Sequence, residues 1–301
     1  HQEPCKHPLS RLLFFFAPIR ENAHMNMNPW KWRVLRAGNF RLDGGSMFGI
    51  IPKGIWSTWS PPDEYNRIAM QTNCLLLENG SRKVLVETGY GNKWSQKERA
   101  IYAMEDRTIL DALAEIDIDP ADISSVILTH LHFDHAGGIT RTDSNGNIHL
   151  NFPNAEVIVQ SQEWEDAIDN RSTMSKTYLK SNLDPIADCV RLVEGRADVL
   201  PGITLEPLKG HTWGIQGAII ETLEGTIAFP SDLMPTVAHI HPSASMGYDM
   251  LPHQNMLTKQ WFLEQAYELG WNIILGHEAG NPHHVLHRDE NNRFILMPMT
   301  S

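Results

Sequence analysis

The stretch Ser125-Val-Ile-Leu-Thr-His130-Leu-His132-Phe-Asp134-His135-Ala-Gly137-Gly138 decides how this chain is read. Ser125 to Thr129 is a short apolar run of the kind that makes a buried strand. Three imidazoles and a carboxylate follow it within six residues. An ideal strand sends neighbouring side chains to opposite faces, whereas turn backbone at a strand end can aim several into one space. Gly137 and Gly138 give the backbone freedom to fold tightly behind the cluster. A lone histidine such as His149 reads as structural, but four donors at fixed spacing, each roughly a 1 in 20 residue, read as a ligand cluster.

Three further donors occupy corresponding places downstream. His211 follows a strand ending at Leu208, Asp232 a strand ending at Phe229, and His277 a strand ending at Leu275. Imidazole and carboxylate donors without thiolates suit zinc, iron, manganese or cobalt, and seven are too many for one tetrahedral ion. Two divalent ions sharing a bridging carboxylate account for the number. Such a pair, roughly 3.5 to 4 Å apart, would hold and activate a bridging water as hydroxide and polarise the bond under attack. Cys5, Cys74 and Cys189 are odd in number and widely spaced, which fits neither a disulfide framework nor a thiolate cluster. Thiol catalysis has no support.

Working outward, residues 73–78 and 83–87 flank Asn79-Gly80 and predict an antiparallel hairpin. Thr108 with Asp111 predicts a helix cap, and Asp119-Pro120 ends that helix. A strand over 155–160 leads into a helix capped by Ser161, with Glu163 and Glu165 in its dipole-favoured first turn. Short strands are expected at 203–208, 216–221, 226–229 and 271–275, and a helix over about 256–269. The Gly/Pro-punctuated apolar segment from Met47 to Trp59 reads equally as a loop or hairpin overhanging the site or as a strand pair packed into the core. His283, His284 and His287 read as a polar C-terminal loop, since an adjacent pair in extended chain points to opposite faces. Strands clustered in both halves with fewer helices predict two packed sheets with helices outside.

The chain has 301 residues, 42% of them hydrophobic, enough for a sizeable core. Two parts are expected: an N-terminal extension over 1–31 and a single domain over 32–301. A formal net charge of −11 argues against a nucleic-acid partner, and the absence of a long apolar run argues against a membrane span. The segment from Arg11 to Pro18 has the outline of a secretory signal but lacks a convincing cleavage site, so a cytoplasmic location is expected with export left open.

The His-x-His-x-Asp-His motif, with Gly210-His211-Thr212, Ser231-Asp232 and Gly276-His277 in that order, resembles the metallo-β-lactamase superfamily. The resemblance covers about residues 32 to 297. It implies an α/β (α+β) fold, a four-layer αββα sandwich with a dinuclear site at one edge of two facing sheets. By position it implies that His130, His132 and His211 hold one metal, that Asp134, His135 and His277 hold the other, and that Asp232 bridges. Zinc is the first expectation, with manganese, iron or cobalt compatible.

Residues 42–49 with Pro52, Lys53 and Trp56, and the stretches Asp232 to Thr236 and Met246 to Asp249, look like the branch containing N-acyl-homoserine lactonases and methyl parathion hydrolase. The implied function is opening of a lactone or ester bearing an acyl or aryl group, with Asp134 also shuttling a proton. Phosphotriester hydrolysis is the alternative, followed by iron-dependent redox chemistry. Assembly as a homodimer is left open. There are three departures from the pattern. Pro235 stands where many such lactonases carry a Tyr that helps bind the carbonyl. Trp213 and Ile215 replace the usual Pro and second His, which is expected to change the pocket lining. Glu87-Thr88-Gly89 replaces Asp-Thr-Gly, which is expected to change the support behind the ligands or the packing. Tyr248, His239 and His241 are candidate replacements for the missing hydroxyl.

Overall fold

The run Cys74-Leu-Leu-Leu77 is apolar at every position because its strand is covered on both faces. Leu75 and Leu77 pack into the layer between the two sheets, whereas Cys74 and Leu76 pack outward beneath helices. The computed structural model describes residues 29–172 and 176–299. The signal-like segment, and most of the expected N-terminal extension, lies outside the described residues.

In chain order the first half supplies strands β1 (Lys31–Asp43), β2 (Arg67–Asn79), β3 (Arg82–Val86), β4 (Ile123–Ile127), β5 (Thr140–Thr142), β6 (Ile148–Leu150), β7 (Glu156–Gln160) and β8 (Val190–Val193). The second half supplies β9 (Ala197–Leu200), β10 (Ile203–Pro207), β11 (Gln216–Thr222), β12 (Gly225–Phe229), β13 (Asn272–Ile274), β14 (His283–Arg288) and β15 (Phe294–Pro298). One sheet runs β1-β2-β3-β4-β7-β8 and the other β15-β14-β13-β12-β11-β10-β9, while β5 and β6 form a separate hairpin. The β2–β3 hairpin turns where Asn79-Gly80 predicts it, with Gly80 at φ +62° as the turn requires.

Between the sheets, Val84, Val86, Ile127 and Ile158 meet Ile203, Leu205, Ile220 and Phe229. The outer face of the first sheet is covered by helix Ile109–Ala114, whose Thr108–Asp111 capping box forms as expected, and by helix Ser161–Ile168. The outer face of the second sheet is covered by helix Pro252–Glu268 through Phe262, Leu263 and Ala266. This layering of helix, sheet, sheet and helix is the αββα sandwich. No helix of the described residues is long and apolar enough to cross a membrane.

Two expectations are corrected. The segment from Met47 to Trp59 is neither hairpin nor strand pair: it forms two short helices, Gly44–Phe48 and Lys53–Trp59. The first is capped by Asp43, which accepts from Ser46 N. Met47, Phe48 and Trp56 are buried in a cluster beside the site, because apolar density alone does not fix the backbone period. Residues 283–288 are a strand rather than a loop, hydrogen-bonded on both sides. Backbone pairing with β13 and β15 outweighs the polarity of that strand's side chains.

Candidate metal centre

All seven candidate donors come together at one end of the sandwich, past the strand termini. Beyond β4 the chain turns at His130 and enters helix Phe133–Ala136, with His132 as its N-cap. This places His130, His132, Asp134 and His135 side by side. The loop between β10 and β11 brings His211, the turn Ser231–Leu233 after β12 brings Asp232, and the residues after β13 bring His277. Ser231 holds φ +51°, a left-handed conformation uncommon outside glycine, and its hydroxyl lies 2.7 Å from that of Thr129.

The glycine pair matters for close approach rather than for backbone freedom. Gly137 has ordinary helical angles, but a Cβ there would lie 2.3 Å from Tyr90 O, and one on Gly138 would lie 2.0 Å from Thr88 O. The motif is thereby pressed onto the loop after β3, where Thr88 N and Oγ1 both donate to His135 O.

The seven side chains form two sets joined by one carboxylate. His130, His132 and His211 each present a nitrogen to a common space, and Asp134, His135 and His277 converge on another. His211 Nε2 lies 3.0 Å from His132 Nδ1, and His277 Nε2 lies 3.1 Å from His135 Nε2. Asp232 sits between: Oδ1 is 3.2 Å from His277 Nε2 and 3.5 Å from His135 Nε2. Its Oδ2 is 3.4 Å from His211 Nε2 and 4.0 Å from His130 Nε2.

Burial, reinforced by neighbouring imidazoles, holds His130 and His132 well below the ordinary imidazole range, so both are neutral. Burial opposes charge on Asp232 as well, but His277 and His135 hold it well below the carboxylate range, so it is ionised. His130 Nε2 and Asp232 Oδ1 are buried with no hydrogen-bond partner among the described residues. Against the effect of burial, Asp232 pushes His135 and His277 upward, and Asp249 with Asp232 pushes His211 upward, so bound cations would take the place of the protons those rings otherwise hold. With two neutral imidazoles, an ionised carboxylate and orphaned donor atoms facing one space, the residues fit divalent cations.

A family model described as the metallo-beta-lactamase superfamily matches residues 67–277, from β2 to the last of the seven donors. The chain belongs to the metallo-beta-lactamase superfamily. An N-acyl homoserine lactonase from a Bacillus species is 32% identical over 160 residues, 50% of this chain and 58% of that protein, so less than two thirds of the relative's length is matched. A probable metal-dependent hydrolase from Staphylococcus aureus has a similar structure, with TM-score 0.81 and 28% identity over 92% of this chain and 100% of its own. An N-acyl homoserine lactone hydrolase, with N-hexanoyl-L-homoserine bound at its catalytic metal center, matches at TM-score 0.67 and 25% identity, covering 84% of this chain and 95% of its own.

Within this metallo-beta-lactamase frame, sequence reading pointed to Glu87 but missed the other residues behind the donors. His211 Nδ1 lies 2.9 Å from Asp249 Oδ1, His277 Nδ1 2.9 Å from Gln71 O, and His130 Nδ1 3.0 Å from Thr129 Oγ1. Glu87, the departure from Asp-Thr-Gly, places Oε2 3.4 Å from His135 Nδ1 and accepts from Thr129 N through Oε1. Such partners fix ring orientation and raise ligand basicity. Glu163, expected only as a charge in a helix's first turn, is fully buried and accepts from Leu131 N, Tyr178 OH and Thr212 Oγ1. It ties the loop of His130 and His132 to the loop of His211.

A cleft open to solvent rises from the donors. Leu42, Met47, Met70, Trp94, Phe133 and Met246 form its apolar wall, and at its edge Lys176 pairs with Glu98. Trp213 and Ile215 do not line it, contrary to expectation: Ile215 is buried, and Trp213 packs 3.8 Å beneath the Arg171 guanidinium. Pro235 is also set aside from the cleft, its carbonyl accepting from His277 N. Among the candidate hydroxyl replacements, His239 has both nitrogens engaged, with Thr236 Oγ1 and Met47 O, and stacks on Phe48. His241 is exposed and pairs with Ser243. Tyr248 alone of the three lines the cleft.

Proposed function

We propose that this chain is a dinuclear metal-dependent hydrolase that opens the ester bond of a lactone carrying an apolar acyl chain. His130, His132 and His211 would hold one divalent ion, Asp134, His135 and His277 the other, and Asp232 would reach both. The observation that carries this reading is the Asp232 carboxylate, whose two oxygens face the two nitrogen sets separately. Five imidazoles and two carboxylates without a thiolate favour zinc. Bound there, the ions would supply Lewis acidity and a nucleophile available at neutral pH.

The chain's own residues would do the rest. The methionine- and aromatic-lined wall would hold the acyl chain and exclude water from the reacting carbonyl. Asp134, whose oxygens lie 3.8 Å from His135 Nε2 and 3.5 Å from His277 Nε2, lines the same cleft and would carry a proton to the departing oxygen. The similarity to N-acyl homoserine lactonases supports a cyclic ester as substrate.

The test is proton release in a pH-stat. Zinc-loaded protein given N-hexanoyl-homoserine lactone is expected to release one proton equivalent per ring opened, and a chelator to abolish the release. An aryl ester and a phosphotriester run in parallel. Turnover of the phosphotriester without the lactone, or turnover of the lactone unaffected by chelation, would contradict the reading.

A further inference from the structure

Opening an ester places negative charge on the carbonyl oxygen, and a preorganised O–H or N–H donor aimed at that oxygen is a large source of rate. The wall of the cleft is mostly apolar, so few side chains qualify. Of the six tyrosines in the chain, Tyr90 spends its proton on Asn39 O and Glu105 O, and Tyr178 on Glu163. Tyr65 and Tyr267 are exposed and lie outside the cleft. Tyr102 and Tyr248 remain, both lining the cleft with His132, Asp134, His211, Asp232 and His277.

The two differ in how they are held. Tyr102 caps helix Gln96–Ile101 and packs its ring against Trp94 and Phe133, as part of the apolar wall. Tyr248 lies on the segment 244–251, which is fastened to the metal-ligand loop itself. Its neighbour Asp249 binds His211 Nδ1 at 2.9 Å and also accepts from Met246 N. Met250 N donates to His211 O and Leu251 N to Gly210 O. On the other side, Gly247 N donates to Ser46 O at 2.7 Å, and Lys259 Nζ donates to Ala244 O.

The phenol oxygen of Tyr248 is also hydrogen-bonded by the side chain of Ser46. A phenol carries one O–H donor, and the Tyr248 side chain belongs to the lining of the cleft. Burial, with Asp43, Tyr102 and Asp134 nearby, pushes the phenol upward, so it keeps that proton across the neutral range.

From this placement we infer that Tyr248 is a catalytic residue: its hydroxyl, fixed relative to His211 by the 244–251 segment, donates to the carbonyl oxygen of the bound ester or lactone as that oxygen gains charge. The hydroxyl is not consumed; its hydrogen bond shortens in the transition state and relaxes on product release. The inference rests on the hydrolase reading above and adds a residue to it.

Tyr248→Phe keeps the ring and removes only the donor. Relative to wild type, its kcat is expected to fall about 100- to 1,000-fold, with a smaller change in KM and with zinc content and melting temperature unchanged. A kcat within twofold of wild type would overturn the inference, as would a larger loss in Tyr102→Phe than in Tyr248→Phe. The comparison runs on the aryl ester as well as on the lactone. A wild type inert to the lactone but active on the ester therefore contradicts the substrate reading alone and leaves the tyrosine test in force.

Discussion

Three of the five imidazoles at the centre are set by an atom on the far side that comes from a distant part of the chain: Gln71 behind His277, Glu87 beside His135, Asp249 behind His211. The seven donors were legible because each follows a strand end, and four of them sit within six residues. Among their partners only Glu87 was marked, by its departure from Asp-Thr-Gly; the others have an ordinary local reading, and Glu163 reads as a first-turn charge until the fold brings Leu131, Tyr178 and Thr212 to it. Removing it leaves three buried donors without an acceptor. Glu163→Ala is expected to cost about 3 kcal/mol or more in urea unfolding and to lower metal affinity. Glu163→Gln should recover most of the stability, because its amide oxygen can still accept from Leu131 and Tyr178 while the Thr212 hydroxyl reverses. Equal losses in the two variants would contradict this account of the residue.

At the scale of elements, what was legible had explicit punctuation: the Asn79-Gly80 turn, the Thr108–Asp111 box, Gly270 after the long helix. Helices Gly44–Phe48 and Lys53–Trp59 escaped because a segment apolar at most positions carries no period, and β14 escaped because its stability lies in pairing rather than in its side chains. Helix Pro252–Glu268 also does something its sequence does not announce. It buries Lys259 completely and uses the ammonium to hold Ala244 O at 2.9 Å. Burial lowers that ammonium to about 8, while the unfolded chain keeps the proton to about 10.4. Between those values the unfolded state binds more protons than the folded one, so the contribution of Lys259 to stability rises with pH; below 8 both states are protonated and its contribution is flat and least favourable. Relative to Lys259→Met, wild type is therefore expected to gain roughly 3 kcal/mol of stability between pH 8 and pH 10.4, measured by urea unfolding across that range. Parallel pH dependence in the two proteins would contradict a buried ammonium at this position.

Across the whole molecule, the centre draws on both sheets. His130, His132, Asp134 and His135 follow β4 of the first, while His211, Asp232 and His277 follow β10, β12 and β13 of the second. Strand-like runs clustered in both halves are enough to suggest two packed sheets, but strand order and the exit of these loops at one end depend on long-range pairing that no local pattern encodes; the order of the motifs supplied that part. Ions held across the two sheets would bind the folded chain and not the unfolded one, so metal loading should raise the melting temperature in step with site occupancy. Whether Asp232 joins two ions is read from the metal content per chain after chelator stripping and reloading with zinc. Two equivalents are expected in wild type, falling to one or fewer in Asp232→Asn with turnover lost. A single equivalent in wild type, or two equivalents and full turnover retained in Asp232→Asn, would contradict a bridged pair.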